Sequence, residues 1–168
     1  MESEIKQNAS PQTIAKEGKY LTFALDREEY GLEILGVREI IGLMEITSVP
    51  QVPHYIKGVI NLRGKIIPVI DLRLKFGIAK IDYTAETCII VLDVNNILMG
   101  ILVDRVCEVL DISKDNIEPT PCFGARAESD FIKGMGKVGD KVKILLDIEK
   151  ILFSDIVIAD QLIKQQPL

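Results

Sequence analysis

The stretch Ile56-Lys57-Gly58-Val59-Ile60-Asn61-Leu62-Arg63-Gly64-Lys65-Ile66-Ile67-Pro68-Val69-Ile70-Asp71-Leu72 decides the fold, because it returns near the end of the chain. Ile132-Lys133-Gly134-Met135 and Lys141-Val142-Lys143-Ile144-Leu145-Leu146-Asp147-Ile148 align with it without a gap, at a constant offset of 76 residues. Upstream, Gly31-Leu32-Glu33-Ile34-Leu35-Gly36-Val37-Arg38-Glu39 matches Gly100-Ile101-Leu102-Val103-Asp104-Arg105-Val106-Cys107-Glu108 at an offset of 69. The chain reads as two copies of one unit, and a duplication that goes unnoticed miscasts the whole fold.

Inside the repeated stretch, residues 58–62 and 65–70 read as strands joined by a tight turn at Arg63-Gly64, where glycine takes the positive φ such turns need. Pro68 donates no ladder bond, which implies an edge strand or a bulge. Asp71 caps a short helix over 72–76, and Gly77 stops it. The second copy repeats this plan with strands at 135–138 and 142–146 across Gly139-Asp140, then a helix capped by Asp147 with Ile148, Ile151 and Leu152 on one face.

Further out, Leu21, Phe23 and Leu25 alternate with Tyr20, Thr22 and Ala24 as in a half-buried strand, with a turn at 26–29 and a partner at 30–34. Residues 88–94 and 97–103 form the matching hairpin around Asn95-Asn96. Ser154 is placed to cap a final amphipathic helix ending near Ile163. Two small antiparallel barrels, each closed by short strands and one helical turn, fit this pattern. The expected layout is a polar flexible leader over 1–18, a first barrel over 19–83, a second over 84–153, and a C-terminal helix and tail over 154–168. Halves of this size sit near the lower limit for independent folding, so they are expected to lean on each other.

Composition narrows the function. Hydrophobic residues make up 48% of the 168, but aromatics only 5%, with no Trp, so the core must be aliphatic and strand-forming. A net charge of −5 argues against a phosphate-binding surface, and no nucleic-acid partner is expected. No apolar run is long enough to cross a bilayer and the N-terminus lacks a signal-peptide pattern, so no membrane insertion and a cytoplasmic location are expected. Cys88, Cys107 and Cys122 are odd in number and widely spaced, the pattern of buried free thiols.

No catalytic set emerges. His54 is the only histidine and has no Cys or Ser beside it to activate. Asp71 and Asp147 stand directly before short helices, where capping explains them better than acid–base work. The glycines are scattered at turns and build no phosphate-cradling loop. Neither a metal nor a cofactor is expected.

The two copies differ most at the hairpin tip, where Arg63 has Gly139 as its counterpart. A solvated tip accounts for Arg63 as well as a role does, but Glu39 in the same half offers it a carboxylate, and a paired arginine beside Val and Ile can anchor an interface. Val37 to Ile41 and Val106 to Leu110 are apolar for exposed segments, and outward Val37, Val106 or Val109 would form a patch. Gly58 serves either backbone geometry or the close approach of a partner. Phe123 lies on a proline-stiffened loop, either tucked against the second barrel or open to contact. An adaptor and a small-ligand module both fit these features; an enzyme fits least.

The run from Asp26 to Val37, the stretch Ile56 to Gly77, Gly100 to Asp104 with Val106, and Leu145 to Leu152 together resemble the CheW family of chemotaxis coupling proteins. The resemblance covers nearly all of the chain from Lys19 onward. It implies a mainly β fold of two SH3-like five-stranded barrels about a shared apolar seam. It also implies a non-catalytic adaptor that binds the cytoplasmic tip of methyl-accepting chemoreceptors and the regulatory domain of the histidine kinase CheA, in arrays at the inner membrane. Matched position by position, it places Val37, Glu39, Gly58, Arg63, Val106 and Val109 at or beside a receptor groove, with Glu39 and Arg63 ion-paired, and Phe123 at the kinase contact. On that reading Arg63→His or Gly58→Asp weakens receptor binding while the barrels stay folded.

Overall fold

The computed structural model describes residues 15–120 and 131–164. Strands β1 (Gly18–Leu25) and β2 (Glu28–Glu33) form a hairpin; β3 (Val37–Gly42), β4 (Ile56–Leu62) and β5 (Lys65–Asp71) follow, then helix α1 (Leu72–Lys75). The second copy contributes β6 (Cys88–Val94), β7 (Ile97–Val103), β8 (Arg105–Ile112), the short β9 (Ile117–Glu118), β10 (Ile132–Val138), β11 (Lys141–Leu146), α2 (Ile148–Ile151) and the longer α3 (Phe153–Lys164). The protein is mainly β, in two sheets, as the duplication implied.

Each sheet takes strands from both copies. One has the order β8-β1-β2-β11-β10-β9 and the other β3-β6-β7-β5-β4. The leading hairpin of each copy has therefore moved onto the later strands of the other, β1 and β2 onto β8 to β11, and β6 and β7 onto β3 to β5. Strand register keeps the two offsets: Leu21 opposite Leu32 recurs as Ile90 opposite Ile101, Gly31 beside Leu145 as Gly100 beside Val69, and Ile56 opposite Ile70 as Ile132 opposite Leu146. The exchange makes two seams parallel, β2 with β11 and β5 with β7, where a purely antiparallel arrangement was expected. Sheet membership does not change at residue 83, since β6 and β7 pair with β3 and β5, and β1 with β8.

The exchange also explains why β1 is buried on both faces rather than one. Leu21, Phe23 and Leu25 enter a central core between the sheets with Ile70, Ile90, Leu92, Ile101 and Val103. Tyr20 points the other way, into the interior of its own barrel with Ile112 and Leu145. The five-stranded barrel has its own aliphatic filling, Ile60, Ile67, Val69, Ile89, Val91 and Leu102. Aromatic rings are few and concentrated, with Phe23 stacked on Tyr30 at 5.7 Å and Tyr30 against Phe76 at 5.9 Å.

Local chemistry follows the sequence closely. The Asp71 carboxylate accepts from the Leu74 amide at 3.2 Å and that of Asp147 from the Lys150 amide at 3.1 Å, so both cap their helices. Arg63 and Gly64 have φ of 51° and 87°, and Asn95 and Asn96 of 52° and 67°, the backbone of tight hairpin turns.

Three expectations need correction. Pro68 lies in β5, an interior strand, and no register shift falls on it; the parallel ladder to β7 begins only at Val69, so the missing N–H is not needed. Helix α3 begins at Phe153, one residue before Ser154, and its first turn is fixed instead by buried Asp155. Order does not wait for Lys19: Ala15 is buried, and its amide donates to the Lys133 carbonyl at 3.3 Å. The rest of the expected leader, 1–14, lies outside the described residues.

Candidate functional site

β3 and β4 are the two edges of the five-stranded sheet. Glu39 stands on β3 beside a bulge that sets Arg38 as an extra residue between Val37, opposite Leu92, and Glu39, opposite Val91. Arg63 sits in the β4–β5 turn, where its positive φ and the Asn61 carboxamide, accepting from the Gly64 amide at 2.9 Å, shape the tip. Its Nη2 donates to Glu39 Oε1. The expected ion pair is present, and it joins the sheet's edges. The same closure is made lower down by Thr47 and Val59, which exchange two backbone bonds of 2.9 Å.

Between these edges lies an open groove of about 510 Å3. Its floor is Leu62, Ile67, Val91 and Leu98, and Glu39 and Arg63 stand at its rim. Arg63 remains 70% exposed, so the pair is wet and available.

The other sequence-predicted residues divide. Val37 and Val106, at equivalent positions of the two copies, are half-buried against the central core and do not point outward. Val109 is the outward one, half-exposed on edge strand β8, with Ile40 as its counterpart on β3 at 44%. Glu39 and Arg63 come together; Val106 and Val109 belong to the other sheet. Phe123 lies outside the described residues.

Gly58 has a reason of its own. Its φ is 144°, and a Cβ there would stand 1.9 Å from the Thr47 carbonyl oxygen. The residue is glycine because another segment of the same chain closes over it. The expectation that Gly58→Asp leaves the barrels folded is therefore corrected, since the side chain would force out the segment that closes the barrel.

Two polar clusters were not anticipated. Arg73 is buried on α1, where it donates to Asp104 at 2.6 Å, to the Ala79 carbonyl at 2.9 Å and to Asp26 at 3.4 Å, while the Asp26 amide donates to Asp104 at 2.7 Å. This network ties the β1–β2 turn of one sheet to the helix following β5 of the other. The signal was present in the duplication, which puts Glu149 where Arg73 stands. Nearby, Asp155 accepts from the Tyr55 hydroxyl at 2.7 Å and from Lys75, whose ammonium also sits 4.5 Å above the Tyr55 ring. Burial, and then the bond to Asp155, push the Tyr55 hydroxyl up to about 12.

A second groove, of about 880 Å3, shares no lining residue with the first. Leu35 and Phe153 line it and are 94% and 75% exposed, an apolar display that the sequence reading did not single out. The two described cysteines, Cys88 and Cys107, are half-buried free thiols. Burial raises both, and Cys107, which also donates to Glu29, reaches about 11. No helix among the described residues is long and apolar enough to cross a membrane.

This arrangement has relatives. The CheW-like domain model matches residues 19–155. The chemotaxis protein CheW of Klebsiella aerogenes is 42% identical over 144 residues, covering 86% of each chain, and that of Thermotoga maritima is 36% identical over 140 residues, covering 82% of this chain and 89% of the other. Among solved structures, the scaffolding protein TtCheW from Thermoanaerobacter tengcongensis is similar with a TM-score of 0.74 and 38% identity, over 81% of this chain and 92% of that one. By the family match and these identities, the chain belongs to the CheW family of chemotaxis scaffolding proteins.

Proposed function

We propose that this protein couples methyl-accepting chemoreceptors to the CheA histidine kinase, by binding and without catalysis of its own. The observation that carries the receptor assignment is the Glu39–Arg63 pair spanning the edges of the five-stranded sheet at the rim of an open groove with an apolar floor and a charged rim. A receptor's helical tip would lay an apolar face there, with the ion pair fixing its register through paired hydrogen bonds and charge. Val37, Gly58 and Val106 then act from behind the surface, holding the strands that carry the contacts, while Val109 meets the partner directly.

Coupling needs a second face, and the groove with Leu35 and Phe153 supplies apolar surface for the kinase regulatory domain, alongside the expected Phe123. A rigid body clamped at both grooves passes a receptor's state to the kinase as a difference in binding free energy. The protein works in the cytoplasm and is drawn to receptor arrays at the inner membrane through these contacts. Binding of a receptor cytoplasmic fragment to wild-type protein and to Arg63→His, which keeps the fold, tests the receptor face; equal affinity would refute it.

A further inference from the structure

The mouths of the two barrels have diverged, and the difference defines what one of them can hold. In the five-stranded barrel, Leu62 and Leu98 lie half-buried over Ile67 and Val91. The rim adds Arg38 and Lys65 to the Glu39–Arg63 pair. Arg38 makes only a long contact of 3.7 Å with Asp93, and Lys65 makes no ion pair among the described residues. The rim therefore carries an excess of positive charge, in a chain whose net charge is −5.

Strand register sets Thr22, Glu29 and Lys143 of the six-stranded barrel at the places of Val91, Leu98 and Ile67. There Lys143 is buried and paired with Glu29, which also accepts from the Cys107 thiol, and the Thr22 hydroxyl donates to the Glu108 carbonyl at 2.8 Å. That mouth is filled by its own satisfied polar groups. A guest would have to displace a buried ion pair, whereas over Leu62 and Leu98 it displaces only water.

We propose that the mouth of the five-stranded barrel seats an acidic segment of a protein partner, with one apolar side chain over Leu62 and Leu98 and flanking carboxylates on Arg38 and Lys65. This rests on the receptor-groove reading, because Glu39 and Arg63 border the same groove, and adds the chemistry the partner must present. A groove of about 510 Å3 is within the size range of sites that hold a short segment. The positive rim steers the carboxylates in, and the apolar floor holds the side chain between them.

The test titrates the full-length protein, labelled at its leucine methyl groups, with the capped peptide Ac-Glu-Glu-Leu-Glu-Glu-NH2 and separately with a receptor cytoplasmic fragment. The peptide is expected to shift the Leu62 and Leu98 methyls. Lys65→Glu should weaken it at least about fivefold, since attraction becomes repulsion. Lys141→Glu, the same charge change at the equivalent position of the filled barrel, should leave it unchanged. Shifts elsewhere, or equal weakening by both variants, would overturn the proposal. If the receptor fragment fails to bind wild-type protein while the peptide behaves as expected, the coupling reading fails and this one stands. If the fragment binds and Lys65→Glu has no effect on it or on the peptide, the seat is overturned and coupling survives.

Discussion

Glu39 and Arg63 lie on opposite edges of one five-stranded sheet, and their ion pair joins β3 to the turn between β4 and β5. Both ends are solvated, so the pair contributes at most about 1 kcal/mol to folding. Arg63→Ala is therefore expected to leave the melting temperature within a few degrees of wild type while weakening receptor-fragment binding. A large fall in melting temperature would show that the pair is structural.

Gly58 should behave in the opposite way. Gly58→Ala places a Cβ 1.9 Å from the Thr47 oxygen at a φ of 144°, which conflicts with both space and backbone. A loss of roughly 2–3 kcal/mol or more is expected in denaturant unfolding. Gly64→Ala, at a φ of 87° with nothing within 4 Å, should cost only about 1 kcal/mol. Equal costs would mean that Thr47 moves freely out of the way.

Asp155 pins the C-terminal helix α3 to Lys75 and Tyr55 from a fully buried position. Removing it in Asp155→Ala strands a buried ammonium, and a loss of about 3–5 kcal/mol is expected by thermal or chemical unfolding. Asp111→Ala, which breaks the exposed pair with Lys19, should cost less than about 1 kcal/mol. Similar values for the two variants would contradict the burial of Asp155.

Cys107 should be slow to alkylate. With its thiol raised to about 11, only roughly 1% is thiolate at pH 9, where an ordinary cysteine is mostly ionised. The folded state thus holds a proton that the unfolded chain releases, so this group's stabilisation is present below about pH 8.5 and is lost as pH rises through 11. Its partner Glu29 has the opposite sign: the hydrogen bond from Cys107 and then that from Lys143 lower it, so its contribution is lost on acidification below the ordinary carboxylate range. Site-resolved alkylation in folded and denatured protein checks the first claim. Equal rates at Cys107 in the two states would contradict it.

The duplication was the most legible feature of the sequence because strand pairing and helix caps are local: the tips at Arg63-Gly64 and Asn95-Asn96, and the caps Asp71 and Asp147, all follow from residues within a few positions. The exchange of leading hairpins was not legible. The same alternation in β1 serves a strand in either sheet, and nothing near it names a partner at β8 rather than β3. The pairing of Glu39 with Arg63 was anticipated from the difference between the copies and from the family resemblance. Of the two roles offered for Gly58, backbone geometry agrees with its φ of 144°, whereas the tolerance of Gly58→Asp was misjudged because the carbonyl that crowds it belongs to Thr47, in a connection without regular strand pattern. Arg73 was overlooked although its copy is Glu149, a difference of the same kind that drew attention to Arg63.

The most direct test of the coupling account is kinase autophosphorylation measured with CheA, a receptor cytoplasmic fragment and this protein, adding wild type or Arg63→His. The account predicts that receptor-dependent activation requires the protein, and that Arg63→His loses it while still binding kinase. Activation that is the same without the protein, or undiminished by Arg63→His, would contradict it.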